Sequence, residues 1–137
     1  MQEWKQKALE LLPEIKTEIL ESDNPMRLWI EIVLSFDEAY EEPINESFIK
    51  RVYEYEEWCL EQGEGETAGE HLSTCVVTSF WEHIPTNKAV REDMTRWFTL
   101  EEVLKNQQFF GYHLSAGNFE DLVNMYSKST LNFSRQK

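Results

Sequence analysis

The stretch from Ser22 to Pro43 constrains the fold most, because it carries a helix start, a helix stop and a helical apolar period between them. Ser22-Asp23-Asn24 offers capping oxygens, and Pro25 stands at the first helical position, where no backbone N–H is needed. Pro43 disfavours helical backbone at the residue before it. The spacing therefore predicts a helix over 25–41. On a 100° wheel Leu28, Trp29, Ile32, Val33, Phe36, Ala39 and Tyr40 share one wide arc, which Ile30 and Leu34 extend. Arg27, Glu31, Ser35, Glu38 and Glu42 fill a narrow polar stripe. An arc that wide calls for contacts on several sides. This is the expected central helix, with Trp29, Ile32, Val33 and Phe36 in the core.

The same punctuation continues on both sides. Trp4, Ala8, Leu11 and Leu12 give a helix over 2–12, Pro13 interrupts it, and a second short helix spans 14–21. Phe48, Ile49, Val52, Tyr53, Tyr55, Cys59 and Leu60 share a face of a helix over 46–62, which Gly63-Glu64-Gly65 ends. Thr67-x-x-Glu70 reads as a capping box opening a helix over 67–84. Thr86 caps a helix holding Val90, Met94, Trp97 and Phe98, and Thr99-x-x-Glu102 is a second capping box. The aromatic run 107–115 reads as an extended segment laid over the core, and 118–126 as a last short helix. No alternating run argues for a sheet. The prediction is an all-α fold: a single compact domain of about six helices in antiparallel helical-hairpin packing over 1–126, with a polar, basic, mobile tail over 127–137. Five Trp, five Tyr and eight Phe supply its core, at roughly 150–250 Å² of buried surface each.

Charge narrows the partners. The net charge is −13, from 26 acidic and 13 basic residues. Residues 1–70 hold 19 acids and 6 bases, and residues 71–137 hold 7 of each. A field of that sign repels nucleic acid and anionic lipid and attracts a basic protein partner. Glu3 and Glu10 break any signal-peptide run, and the apolar stretch 28–36 is short and carries Glu31, so no membrane span is expected. Two cysteines, Cys59 and Cys75, make no disulfide framework. A cytoplasmic protein with reduced thiols is the expectation.

No motif identifies a reaction. There is no glycine-rich phosphate loop, no paired zinc-type cysteines and no nucleophile elbow. None of His71, His83 and His113 follows a glutamate at the spacing a di-iron bundle needs. His71 and Cys75 stand four apart on one stripe with Glu82, a spacing that can hold a metal or activate a thiol but equally marks an ordinary polar edge. No cofactor and no metal follow. Two ionisable residues break the apolar pattern, Glu56 and His83, each at the centre of an arc. A buried carboxylate is costly unless paired. Either Glu56 meets His83, Arg51 or Arg91 inside the core, or its helix rotates to carry it to solvent. An enzyme or small-ligand protein with a core pocket around Glu56 and His83 is thus the second functional reading. The first is a non-enzymatic binding surface of acids interleaved with aromatics: Asp37, Glu38, Tyr40, Glu41, Glu42, Glu54, Glu57, Trp58 and Glu61. Rings give contact area and carboxylates steer a basic partner. Trp58 lies outside the apolar arc and is expected to be exposed.

The segments FIKRVYEYEEWCLEQ (48–62), CVVTSFWEHI (75–84) and VREDMTRWFT (90–99) resemble the central helices of small acidic all-helical bacterial proteins, some of which accompany polymorphic toxins as immunity proteins. The resemblance covers roughly residues 28–100 and rests on helix texture. It implies a toxin-neutralising protein binder and carries over no individual functional residue.

Overall fold

The computed structural model describes residues 1–62 and 71–128, and among these every regular element is helical. The helices are α1 (Glu3–Leu11), α2 (Lys16–Glu21), α3 (Pro25–Ala39), α4 (Glu46–Glu61), α5 (Leu72–Cys75), α6 (Lys88–Asp93), α7 (Leu100–Lys105), α8 (Gln107–Phe110) and α9 (Ala116–Lys128). A 3-10 turn at Pro13–Ile15 joins α1 to α2, and a π-helical stretch, Val76–Trp81, continues α5. None of the described helices is long and apolar enough to cross a membrane. The Thr67–Glu70 capping box and residues 129–137 of the expected tail lie outside the described residues.

The chain divides into two compact units, residues 1–80 and 81–137. In the first, α3 begins where its start signal stands: the Asn24 side chain accepts the Arg27 N–H at 2.9 Å, and Pro25 opens the helix. Its buried face is Leu28, Trp29, Ile32, Phe36 and Ala39. α4 packs on α1, α3 and α5 and shares the centre with α3, burying Phe48, Ile49, Val52, Tyr53, Tyr55, Glu56 and Cys59. Rings fill the space between them. Trp29 stacks on Tyr55 at 5.4 Å and meets Phe80 at 5.0 Å, and Phe36 meets Tyr53 and Phe80 edge-on at 5.5 and 5.1 Å. Tyr55 donates its hydroxyl to the Trp4 carbonyl at 2.9 Å, which ties α4 to α1.

Several positions on the expected apolar faces depart from the core. Val33 is half-buried, while Ile30, Leu34 and Leu60 are exposed. The apolar arc of α3 is wider than the face its neighbours cover, so its margin remains at the surface.

The second unit has its own apolar centre in Val90, Met94, Phe98, Val103, Phe110, Leu122 and Tyr126. Trp81 stacks on Phe110 at 5.1 Å. The Thr99–Glu102 capping box forms reciprocally, with Thr99 N–H donating to the Glu102 carboxylate at 2.8 Å and Glu102 N–H to the Thr99 hydroxyl at 3.1 Å. The helix cap at 87 is Asn87 rather than the expected Thr86. Its side-chain oxygen accepts from Ala89 and Val90, while the Thr86 hydroxyl donates back to the His83 carbonyl. The expected extended segment 107–115 is instead the helical turn α8 followed by turns, because the Phe110 and Gly111 N–H groups find Asn106 and Gln107 carbonyls.

Candidate functional site

In the first unit an open cleft of about 580 Å³ lies among the 3-10 turn after α1, the C-terminal end of α3, the α3–α4 connection and the first turn of α4. It is lined by Glu14, Ile15, Ser35, Glu38, Ala39, Glu41, Glu42, Pro43, Asn45 and Phe48. Local structure fixes its walls. α3 stops at Ala39, and the Tyr40 and Glu41 N–H groups bond back to Asp37 and Glu38. The Asn45 N–H then reaches the Ala39 carbonyl at 2.8 Å, which closes the connection into a tight turn containing a cis Glu42–Pro43 bond. The Asn45 side chain also caps α4 by accepting from Phe48 N–H at 3.1 Å. A short turn between two helix ends thus sets Glu38, Glu41 and Glu42, already close in sequence, round one cleft that Glu14 joins from the Pro13–Ile15 turn.

Glu38, Glu41 and Glu42 are exposed, and none forms an ion pair among the described residues. Glu14 differs: Arg51 grips both its carboxylate oxygens and also donates to the Leu11 carbonyl at 2.7 Å. That hydrogen-bonded guanidinium holds the Glu14 carboxyl below the usual carboxylate range and raises Arg51 in turn. The bidentate pair fixes Glu14 in the lining of the cleft, to which Glu38, Glu41 and Glu42 add exposed carboxylates.

Three of the sequence-predicted binding residues, Glu38, Glu41 and Glu42, therefore line one cavity. Asp37, Tyr40, Glu54, Glu57, Trp58 and Glu61 do not line it. Glu54, Glu57 and Glu61 run along α4 at helical spacing as a separate acidic stripe. The aromatics are engaged inward. Trp58 is half-buried rather than exposed and stacks on Tyr55 at 5.9 Å, and Tyr40 meets Phe36 edge-on at 5.4 Å. Glu14, Ser35 and Asn45 are cleft residues that the wheel of a single helix cannot reveal, since they come from three separate segments.

Glu56 is fully buried. His83 is not: it is exposed, and its ring stacks on His113 at 4.6 Å. The physical reason is the π-helical stretch 76–81. A five-residue hydrogen-bonded turn advances each residue by less than the 100° of an α-helix, and the helix ends at Trp81, so the register that put His83 among Leu72, Val76 and Phe80 is lost. The cleft is lined by neither Glu56 nor His83.

The thiols lie in apolar surroundings. Burial pushes Cys59 up to about 12, beside the Trp29 and Tyr55 side chains, and burial also raises Cys75. The Cys59 thiol so raised holds almost no thiolate near neutral pH, and burial shifts Cys75 in the same direction, away from the lowered pKa of a reactive thiol. Among the described residues no three His, Cys, Asp or Glu side chains are placed to share a metal ion. No protein family, no curated protein and no solved structure matches the chain.

Proposed function

We propose that this protein is a binding module for a basic protein partner, and that the acidic cleft is where the partner's cations enter. The observation that carries this reading is the convergence of Glu38, Glu41 and Glu42 on one open cleft that Glu14, held by Arg51, also lines. A concave surface with charge of one sign focuses the field and speeds encounter with an oppositely charged group. The acidic stripe of Glu54, Glu57 and Glu61 extends that field along α4. Tyr40 and Trp58 are engaged by Phe36 and Tyr55 rather than standing as free anchors. Neutralisation of a basic toxin, the role implied by the resemblance to immunity proteins, is one form of this function. A pre-organised acidic surface gives rapid capture, and steering of this kind weakens as salt screens it over a Debye length of about 10 Å at 0.1 M.

Titration with an octalysine peptide tests the reading. Binding should weaken as salt rises. The combined Glu38→Gln, Glu41→Gln, Glu42→Gln variant should lose about tenfold or more in affinity, equal to about 1.4 kcal/mol or more. Glu92→Gln with Glu120→Gln, two exposed acids of the second unit, should leave affinity unchanged. Equal loss in both variants would reduce the cleft to a share of overall charge and contradict the assignment.

A further inference from the structure

Ile30 and Leu34 are 50% and 57% exposed on α3. Isolated apolar residues at a surface are ordinary. These two are one helical turn apart, and the next position on the same row, Glu38, is a wall of the acidic cleft. Residues at i, i+4 and i+8 form one ridge that winds slowly round a helix, each in reach of the next, and eight residues at 1.5 Å each span about 12 Å. One row of α3 thus runs from uncovered apolar surface into a cluster of carboxylates. The adjacent row, Arg27, Glu31 and Ser35, reaches the cleft at Ser35, and the Arg27–Glu31 pair at 3.7 Å borders the apolar stripe.

We propose that this row docks an amphipathic helical segment of a basic partner. Two apolar side chains four residues apart seat on Ile30 and Leu34, and a lysine or arginine one further turn along enters the cleft at Glu38, Glu41 and Glu42. The inference rests on the reading of the cleft as a cation-binding surface and adds the partner's shape and register to it. Charge selects the occupant. Residues 1–80 carry 19 acids and 6 bases, so a second copy laid over the stripe would bring like charges together, whereas a basic amphipathic segment satisfies both halves of the row.

The test uses three synthetic peptides and the full-length chain. The first peptide is a capped helix-forming sequence with leucines at positions i and i+4 and lysines at i+8 and i+11. The second replaces both leucines by alanine, and the third replaces both lysines by glutamate. Wild-type protein should bind the first about tenfold tighter than the second, because only the leucines bury the stripe, and should not bind the third. Leu34→Asp alters a largely exposed side chain, so circular dichroism should be unchanged and the urea midpoint should fall only slightly, through helix propensity and the like charge of Glu38, and it should erase the preference of the first peptide over the second. Glu38→Gln with Glu41→Gln should weaken both lysine peptides together. If both lysine peptides bind equally in a salt-dependent way, the acidic cleft stands and the apolar docking row falls. If neither lysine peptide binds, both readings fall. A sedimentation profile showing a dimer that Leu34→Asp disperses would make a second copy the occupant and overturn the proposal.

Discussion

At the level of single residues, the rings of the first unit carry the clearest energetic consequences. Phe36 is fully buried and touches Tyr40, Tyr53 and Phe80. Phe36→Ala should therefore cost about 3–5 kcal/mol, the transfer loss plus the cavity left behind, read from urea denaturation; a change under about 1 kcal/mol would contradict the packing. Cys59 gives a pH-dependent counterpart. Its folded-state pKa is raised from an ordinary 9.0 to about 12, so its stabilising contribution is complete below about pH 9 and is lost as pH rises through that window. Buried Tyr55 and Tyr126 shift in the same direction, chiefly by desolvation. Stability should fall from pH 9 towards pH 12, and Cys59→Val should flatten that alkaline limb; an unchanged limb would show that the thiol ionises freely in the fold. The sequence marks Glu56 as the charged residue at the centre of an apolar arc but leaves open whether it is buried or turned to solvent, and the structure buries it. The exposure of His83 is not legible, because the wheel assumes an unbroken α-helical period where the chain takes a π-helical one.

Among the elements, boundaries set by side-chain capping are the ones the sequence states openly. Asn24-Pro25 and Thr99-x-x-Glu102 each name their partner at a fixed offset, and both form. Thr99→Ala should destabilise the chain by about 1 kcal/mol, since it leaves the Glu102 N–H without its acceptor; a thermal melt unchanged by the substitution would mean the cap is replaced by water at no cost. The α5 region resists such reading. Thr78 donates its hydroxyl to the Thr74 carbonyl at 2.8 Å, a competition with the backbone ladder that bends helices, and no local pattern announces whether the ladder or the hydroxyl wins. Segment 107–115 misleads for a related reason. Its aromatic content favours strands by propensity, but propensity yields to backbone carbonyls already positioned at Asn106 and Gln107. The cleft is partly legible. Glu38, Glu41 and Glu42 stand out as acids around Pro43, whereas Glu14 joins them only through the tertiary placement of the Pro13–Ile15 turn.

Across the whole molecule, the division of charge follows the division of structure. Residues 1–80 hold the entire excess of negative charge, and residues 81–137 hold equal numbers of acids and bases. The proposed recognition of a basic surface is therefore assigned to the first unit, and the second contributes an apolar centre of its own without adding net charge. All-helical architecture is legible from periodicity and punctuation, which are local properties. The clustering of Glu38, Glu41 and Glu42 at one end of α3 is local too, whereas their enclosure with Glu14 and Phe48 in one cleft is a long-range property that depends on how α1, α3 and α4 meet. The central claim is that cations bind this protein at that cleft, and amide NMR mapping tests it most directly. On titration with octalysine at low salt, the largest shifts should fall on Glu14, Ser35, Glu38 to Glu42 and Asn45, and should fade as salt is added. Shifts confined to Glu54–Glu61, or spread evenly over both units, would contradict it.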